Sequence, residues 1–161
     1  GGSLRVWLSH VGTQGISKNV IIVLNEELDK GLPSIHAYAD LQINADRLKN
    51  HLLQTLLSYK DSGSLIIGYG AAAKGNTLLN FAGIRPDLLR AVVDKAKAKQ
   101  GLYLPGSHIP IINPTELEQL KPEALLLLPW NLLTEIQFEY PSYKLITAIP
   151  TLTTHPAFKQ V

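Results

Sequence analysis

The run Ser64-Leu65-Ile66-Ile67-Gly68-Tyr69-Gly70-Ala71-Ala72-Ala73-Lys74-Gly75-Asn76 decides how the rest of the chain is read. Asp61-Ser62-Gly63 precedes it as a turn signal, and Leu65 to Ile67 is the short apolar run expected of a buried strand. Glycines at 68 and 70 then permit a tight turn, and the small residues from about Ala72 to Phe81 suit a helix lying close on a sheet. The spacing is G-x-G-x-x-[GA] at the point where strand passes to helix. In that pattern the first glycine allows the turn, the second lets backbone approach a phosphate pair, and the third small residue lets helix and strand close up. The free N–H groups and positive end of the helix face the same place. Gly68, Tyr69, Gly70, Ala71, Lys74, Gly75 and Asn76 are therefore candidate phosphate or nucleotide contacts, with Lys74 adding a cation and Asn76 an amide. A plainer reading stands beside it: glycine and alanine serve only tight helix–sheet packing. The run is not a magnesium-holding P-loop, because Lys74 precedes Gly75 and Asn76 replaces the required hydroxyl.

Outward from this run the chain alternates. A short helix near Pro86 to Leu89 leads to the buried-strand pattern Arg90 to Val93, which closes on Asp94. An acid at that strand end is where a dinucleotide fold binds a ribose hydroxyl; a solvated strand end or helix cap is the alternative. Lys95 to Ser107 reads as a basic loop, His108 to Ile111 as an extended edge piece, and Pro114 to Leu120 as a helix. Ala124 to Leu128 has the continuous apolar character of a strand covered on both faces. A helix over about Leu132 to Phe138 and a last strand over Tyr143 to Ala148 follow. Strands alternating with helices predict an α/β, Rossmann-like three-layer domain with a mostly parallel sheet and right-handed crossovers.

Toward the N-terminus, Leu4 to Val11 alternates apolar and polar residues as a strand does. Ser17 offers an N-cap for a helix to about Lys30, stopped by Gly31 and Pro33. From Ser34 to Tyr59, Ile35, Tyr38, Leu41, Ala45, Leu48, Leu52, Leu56 and Tyr59 recur at helical spacing, predicting one long amphipathic helix with a single buried stripe. The expected organisation is one domain over 1–161, with the N-terminal strand and helices in 1–60, the core in 61–150 and a tail in 151–161.

Composition narrows the function classes. At 161 residues and 45% hydrophobic the chain has enough apolar surface for a folded core. Fifteen Lys and Arg against 13 Asp and Glu leave +2, far from the basic field of a nucleic-acid binder. The chain contains no Cys, so neither disulfide nor thiolate zinc site is expected, and the five His show no metal-ligand spacing. Neither an apolar run of roughly 18 residues nor a signal-peptide core is present. The expectation is a cytoplasmic chain with no membrane partner, and a start at Gly1-Gly2-Ser3 without Met suggests a cut-out of something longer.

Two further places are candidates for ligand contact. Pro105-Gly106-Ser107-His108 ends a polar loop of the kind that carries binding residues; a simple turn with a loop histidine is the alternative. Trp130-Asn131 follows the most buried strand, at the carboxyl end where open α/β sheets bind ligands. Trp130 could stack on a base or sugar and Asn131 hydrogen-bond one, or they plug the sheet edge and cap the next helix.

Taken together, GGSLR at 1–5, GYGAAAKGNTLLN at 68–80, Asp94, KQGLYLPGSHIPI at 99–111, and Trp130-Asn131 followed by Glu135-Ile136 resemble the C-terminal domain of the C-methyltransferases that modify nucleotide-linked deoxysugars. The resemblance implies a three-part enzyme: a zinc-binding N-terminal domain, a middle domain for S-adenosylmethionine, and this Rossmann-like domain, with the sugar nucleotide between the last two. It places the nucleotide near Gly68 to Asn76, with Pro105 to His108 and Trp130-Asn131 lining the same end of the sheet. It puts the catalytic base, S-adenosylmethionine and zinc in the absent upstream part, so no residue here is assigned as catalytic and the chain alone is expected to be inactive. The alternatives are an NAD(P)-binding oxidoreductase domain using the same loop and Asp94, and a nonbinding scaffold that contacts the methyltransferase domain.

Overall fold

The structure is a computed structural model in which residues 4–158 are described. Gly1 to Ser3, with the start of the GGSLR motif, and Lys159 to Val161, the end of the expected tail, lie outside the described residues. Two compact units are distinguished, 1–46 and 47–161.

In the first unit, helix α1 (Lys18–Asp29) starts where Ser17 Oγ accepts from the Asn19 N–H at 3.2 Å, and ends at Lys30 before Gly31. None of its residues is buried. The expected strand over Leu4 to Val11 does not form. Alternating residues define a strand only when a neighbouring strand takes up the backbone N–H and C=O groups, and none lies beside this segment among the described residues. The expected long helix is also interrupted. Ile35–Tyr38 make a short 3-10 turn capped by Ser34, and helix α2 (Leu41–Asp61) begins only after Asp40, whose carbonyl accepts from the Asn44 N–H at 2.9 Å. Asp competes for caps rather than helix interiors, which explains the break. The single buried stripe is accordingly halved: Leu52 and Leu56 are buried, whereas Ile35, Tyr38 and Leu41 are exposed.

The second unit holds a six-stranded sheet: β1 (Ile66–Tyr69), β2 (Val92–Val93), β3 (Ile111–Ile112), β4 (Ala124–Leu127), β5 (Lys144–Thr147) and β6 (Thr153–His155). The order is β3-β2-β1-β4-β5-β6, parallel throughout except that β6 runs against β5. This is the Rossmann-like arrangement expected, with β6 added: the tail holds a strand that its short, polar sequence did not signal. Helices α3 (Ala73–Phe81), α4 (Pro114–Leu120) and α5 (Leu133–Glu139) connect the strands. The residues near Pro86 to Leu89 form a turn rather than the expected helix, because β2 follows too soon for a helix to propagate.

Side-chain alternation along the strands builds two cores. Ile66, Val92, Leu126 and Ile146 face Leu52, Leu56, Leu78 and Leu79 of α2 and α3. Ile67, Val93, Leu125, Leu127 and Leu145 face Leu117 of α4 and Ile136 of α5. Both faces of β4 are thus covered, and each of its leucines is worth roughly 1.5–3 kcal/mol of burial, which is why the run reads as uninterrupted leucine. Because α3 and α5 leave β1 and β4 on opposite faces, the connections diverge at the carboxyl ends of these adjacent strands and open a crevice there.

Candidate functional site

At the carboxyl end of β1 the backbone turns through Gly70, whose φ of +82° suits glycine, and Ala72 enters α3 without any side-chain cap. The N–H groups of the first helical turn therefore lack an intrahelical acceptor. The glycines around them are demanded by packing. A Cβ on Gly68 would lie 2.7 Å from Val92 Cγ2, one on Gly70 2.7 Å from Pro129 Cδ, and one on Gly75 2.3 Å from Leu128 Cβ. Tight packing against Val92, Pro129 and Leu128 accounts for a glycine at all three positions.

Lys74 in the first turn of α3 reaches across to the loop after β4. Its Nζ donates to Asn131 Oδ1 and stands 4.5 Å from the centre of the Trp130 ring. The indole Nε1 of Trp130 is enclosed without a hydrogen-bond partner among the described residues. A cation, an aromatic face and a carboxamide from separate segments thus meet beside the uncapped helix end. Asn76 is more committed, since its carbonyl and Oδ1 both accept from Asn80 Nδ2, at 3.0 and 3.3 Å.

Asp94 at the end of β2 acts as a brace between loops. Its Oδ2 accepts from the Ala71 N–H at 2.8 Å and from Lys99 Nζ at 3.1 Å, while Oδ1 accepts from the Ala96 N–H at 2.8 Å. Lys99 also donates to the Ala71 carbonyl at 3.0 Å. Burial pushes the carboxyl pKa up, but the hydrogen bonds from Ala96, Ala71 and Lys99 outweigh it and hold the group below the usual carboxylate range. Lys99 belongs to the loop read as basic and ligand-facing; its partnership with Asp94 was invisible because it depends on the fold.

On the α5 face of the same strand ends lies a cleft of about 350 Å³ lined by Tyr69, Asp94, Lys95, Lys99, Pro129 and Glu139, among others. Lys95 pairs with Glu139, and the ring of Tyr69 meets that of Tyr140 edge-on at 5.2 Å. Burial, then the neighbouring Tyr140 and Glu139, push the Tyr69 hydroxyl well above the usual phenol range, so it stays protonated as a donor. Tyr140 and Glu139 carried no motif and were missed. A slightly larger groove, about 370 Å³, lies at the opposite end of β1 around Lys60 and Asp87. Among the described residues no helix N-terminus opens there, and the Lys60–Asp87 ion pair is exposed, so chemistry favours the carboxyl end.

The Pro105 to His108 segment does not join this group. Leu104 N–H donates to the Ile109 carbonyl and Ile111 N–H to the Leu102 carbonyl, making a hairpin whose tip is Pro105-Gly106-Ser107-His108. The tip precedes β3 and rests on Asn80, whose Nδ2 donates to the Pro105 carbonyl at 2.9 Å. Asn80 lies in the last turn of α3, about 9 Å along the helix from Lys74 at 1.5 Å per residue. The sequence-based expectation that this segment lines the same end of the sheet as Trp130 and Asn131 is corrected: parallel strands return the chain to the amino end before β3, and the hairpin tip goes with it. His108 is exposed there with φ +56°, and Ser107 Oγ is buried without a partner among the described residues.

Among the described residues no three His, Cys, Asp or Glu gather as a metal site, and no helix is long and apolar enough to cross a membrane. A family model for the C-methyltransferase C-terminal domain matches residues 1–150. The C-methyltransferase NovU of Streptomyces niveus is 31% identical over 137 residues, which cover 84% of this chain and 33% of that protein. The chain spans about a third of the length of the curated relative it matches.

Proposed function

This chain belongs to the C-methyltransferase C-terminal domain family, and we propose that it is the substrate-holding domain of a larger S-adenosylmethionine-dependent enzyme that methylates a carbon of a nucleotide-linked sugar. The observation that carries the reading is the meeting of Lys74, Trp130 and Asn131 beside the uncapped start of α3 at the β1–β4 crevice. An ammonium and free helix N–H groups suit the phosphates of a sugar nucleotide, and the Trp130 ring and Asn131 suit a base or sugar face. A cationic sulfonium is repelled by Lys74, which favours holding the methyl donor elsewhere in the polypeptide. Among the described residues no cluster of His, Cys, Asp or Glu suits zinc. The domain contributes orientation and binding energy to a step whose base lies outside it.

The site so drawn uses Gly70 to Lys74, Trp130 and Asn131, with Asp94 as a brace. That use of Asp94 weighs against the oxidoreductase alternative, because both its oxygens already accept hydrogen bonds within the chain. The test is a chemical-shift titration of the chain with a thymidine diphosphate sugar. Shifts over Gly70 to Asn76 and at the Trp130 indole are expected, and Lys74→Ala should weaken binding about tenfold, as loss of one charge-assisted contact does. Unmoved resonances at millimolar ligand would remove the substrate-holding role and leave the scaffold alternative.

A further inference from the structure

Lys74 differs from other lysines of the sheet unit in what meets its charge. Lys60, Lys95, Lys99 and Lys144 pair with the carboxylates of Asp87, Glu139, Asp94 and Glu123. Among the described residues Lys74 pairs with no carboxylate; its ammonium meets the Asn131 amide oxygen and the Trp130 ring, both neutral. A positive charge so placed is uncompensated, and an anion at the start of α3 is a stronger partner than either group. The same two contacts keep Trp130 and Asn131 occupied. The indole packs against the core cluster that includes Leu78 and Leu128, and the ammonium stands over the ring 4.5 Å from its centre. Trp130 Nε1 is enclosed without an acceptor among the described residues, which is costly for a buried donor. The ring is therefore held in place by packing and by Lys74, not by a satisfied indole N–H.

We infer that Lys74 is a latch on the nucleoside half of this site, covering Trp130 and holding Asn131 until the phosphates of a ligand draw its ammonium away; this rests on reading the crevice as the place of a sugar nucleotide. Hydrogen bonds from an ammonium to phosphate oxygens are shorter and stronger than those to a neutral amide, so the exchange favours the phosphate. The flexible four-carbon stem of lysine lets the ammonium move while its backbone stays in α3. Once it leaves, a planar base can stack on the freed ring, and the carboxamide of Asn131 offers an acceptor and donors to the base edge. Phosphate and nucleoside then bind cooperatively, each strengthening the other by the same factor. Uncharged nucleosides are refused, because they bring nothing that draws the ammonium off the ring. A lysine that only attracted phosphates would leave nucleoside binding independent of them.

The experiment is a titration of the chain with thymidine, followed at the Trp130 indole resonance, with and without saturating inorganic pyrophosphate. Pyrophosphate should strengthen thymidine binding about tenfold or more, and thymidine should strengthen pyrophosphate binding equally. In Lys74→Ala the ring is uncovered from the start. Thymidine alone should then bind about as tightly as it binds the parent with pyrophosphate, and pyrophosphate should no longer alter it. The change that weakens the sugar nucleotide thus strengthens the bare nucleoside, an opposition of sign that a purely attractive lysine does not give. Equal thymidine affinities with and without pyrophosphate in the parent overturn the latch, whatever the variant does. A Lys74→Ala chain that binds thymidine no better than the parent overturns it as well. The two readings fail separately: if a thymidine diphosphate sugar shifts Gly70 to Asn76 and the indole while thymidine shows no coupling to pyrophosphate, the site stands and the latch falls. If none of the three ligands moves these resonances, both fall.

Discussion

The two units of this chain contain similar kinds of apolar residue and treat them in opposite ways. In the sheet unit, Leu125 to Leu128 are enclosed from both faces, and even glycines are fixed by the atoms beside them. In the N-terminal unit, Trp7, Leu8, Ile16 and Ile35 face outward. Hydrophobicity by itself does not make a core; a second layer must be there to receive it. The sheet unit has that layer on both sides, from α2 and α3 and from α4 and α5. The N-terminal unit has the residues for one side only.

That contrast is sharpest under substitution. Leu126→Ala removes a fully enclosed side chain from the central strand and should cost the isolated chain about 3 kcal/mol of unfolding free energy, read by urea denaturation. A loss below about 1 kcal/mol would mean the sheet unit is as loosely packed as the N-terminal unit. Gly75→Ala comes next. Alanine is the better helix former, yet its Cβ would meet Leu128 Cβ at 2.3 Å and Cα at 3.2 Å, so backbone must give and a net loss of about 2 kcal/mol is expected. A stabilised variant would show that α3 is free to move off the sheet, and with it Lys74.

How much of this was legible follows from where each signal originates. The strand–turn–helix at Ile66 to Phe81 was readable because glycine spacing and an apolar run are local, and α4 because Pro114 marks a helix start, where Asn113 and Glu116 form a capping box with both bonds at 3.0 Å. The fate of Leu4 to Val11 and Ile35 to Leu41 was not readable, since periodicity names the face that can be buried and is silent on what covers it. The site divides the same way. Trp130-Asn131 was singled out as a candidate from its position after a buried strand, whereas its pairing with Lys74 arises from two segments brought together across the sheet. Pro105 to His108 was misplaced because a loop sequence carries no record of which end of the sheet its hairpin tip reaches.

Asp94 tests whether the strand-end loops belong to the rigid side of the comparison. Asp94→Ala leaves the Ala71 and Ala96 N–H groups and the Lys99 ammonium without their acceptor, an expected loss of about 1.5 kcal/mol. The pH dependence has a definite sign. The folded-state pKa is depressed, so the carboxylate's contribution is complete above the unfolded value of about 4 and is lost as pH falls through the lower folded value. The stability gap between parent and variant should therefore hold at neutral pH and close below about pH 4. A gap that persists in acid would assign the loss to packing rather than to the charged brace.

The smallest effect is expected in the N-terminal unit, and it carries the most information about the comparison. Leu28→Gln replaces an apolar residue that is 61% exposed in α1 with another good helix former. In the isolated chain it should change the unfolding free energy of the sheet unit by less than about 0.5 kcal/mol, as surface substitutions do. Leucine buried in a core would give several times that on losing its apolar end. A large loss would show that the Leu28 side chain is packed in a core, and the contrast between the enclosed strand leucines and the exposed residues of α1 would fail.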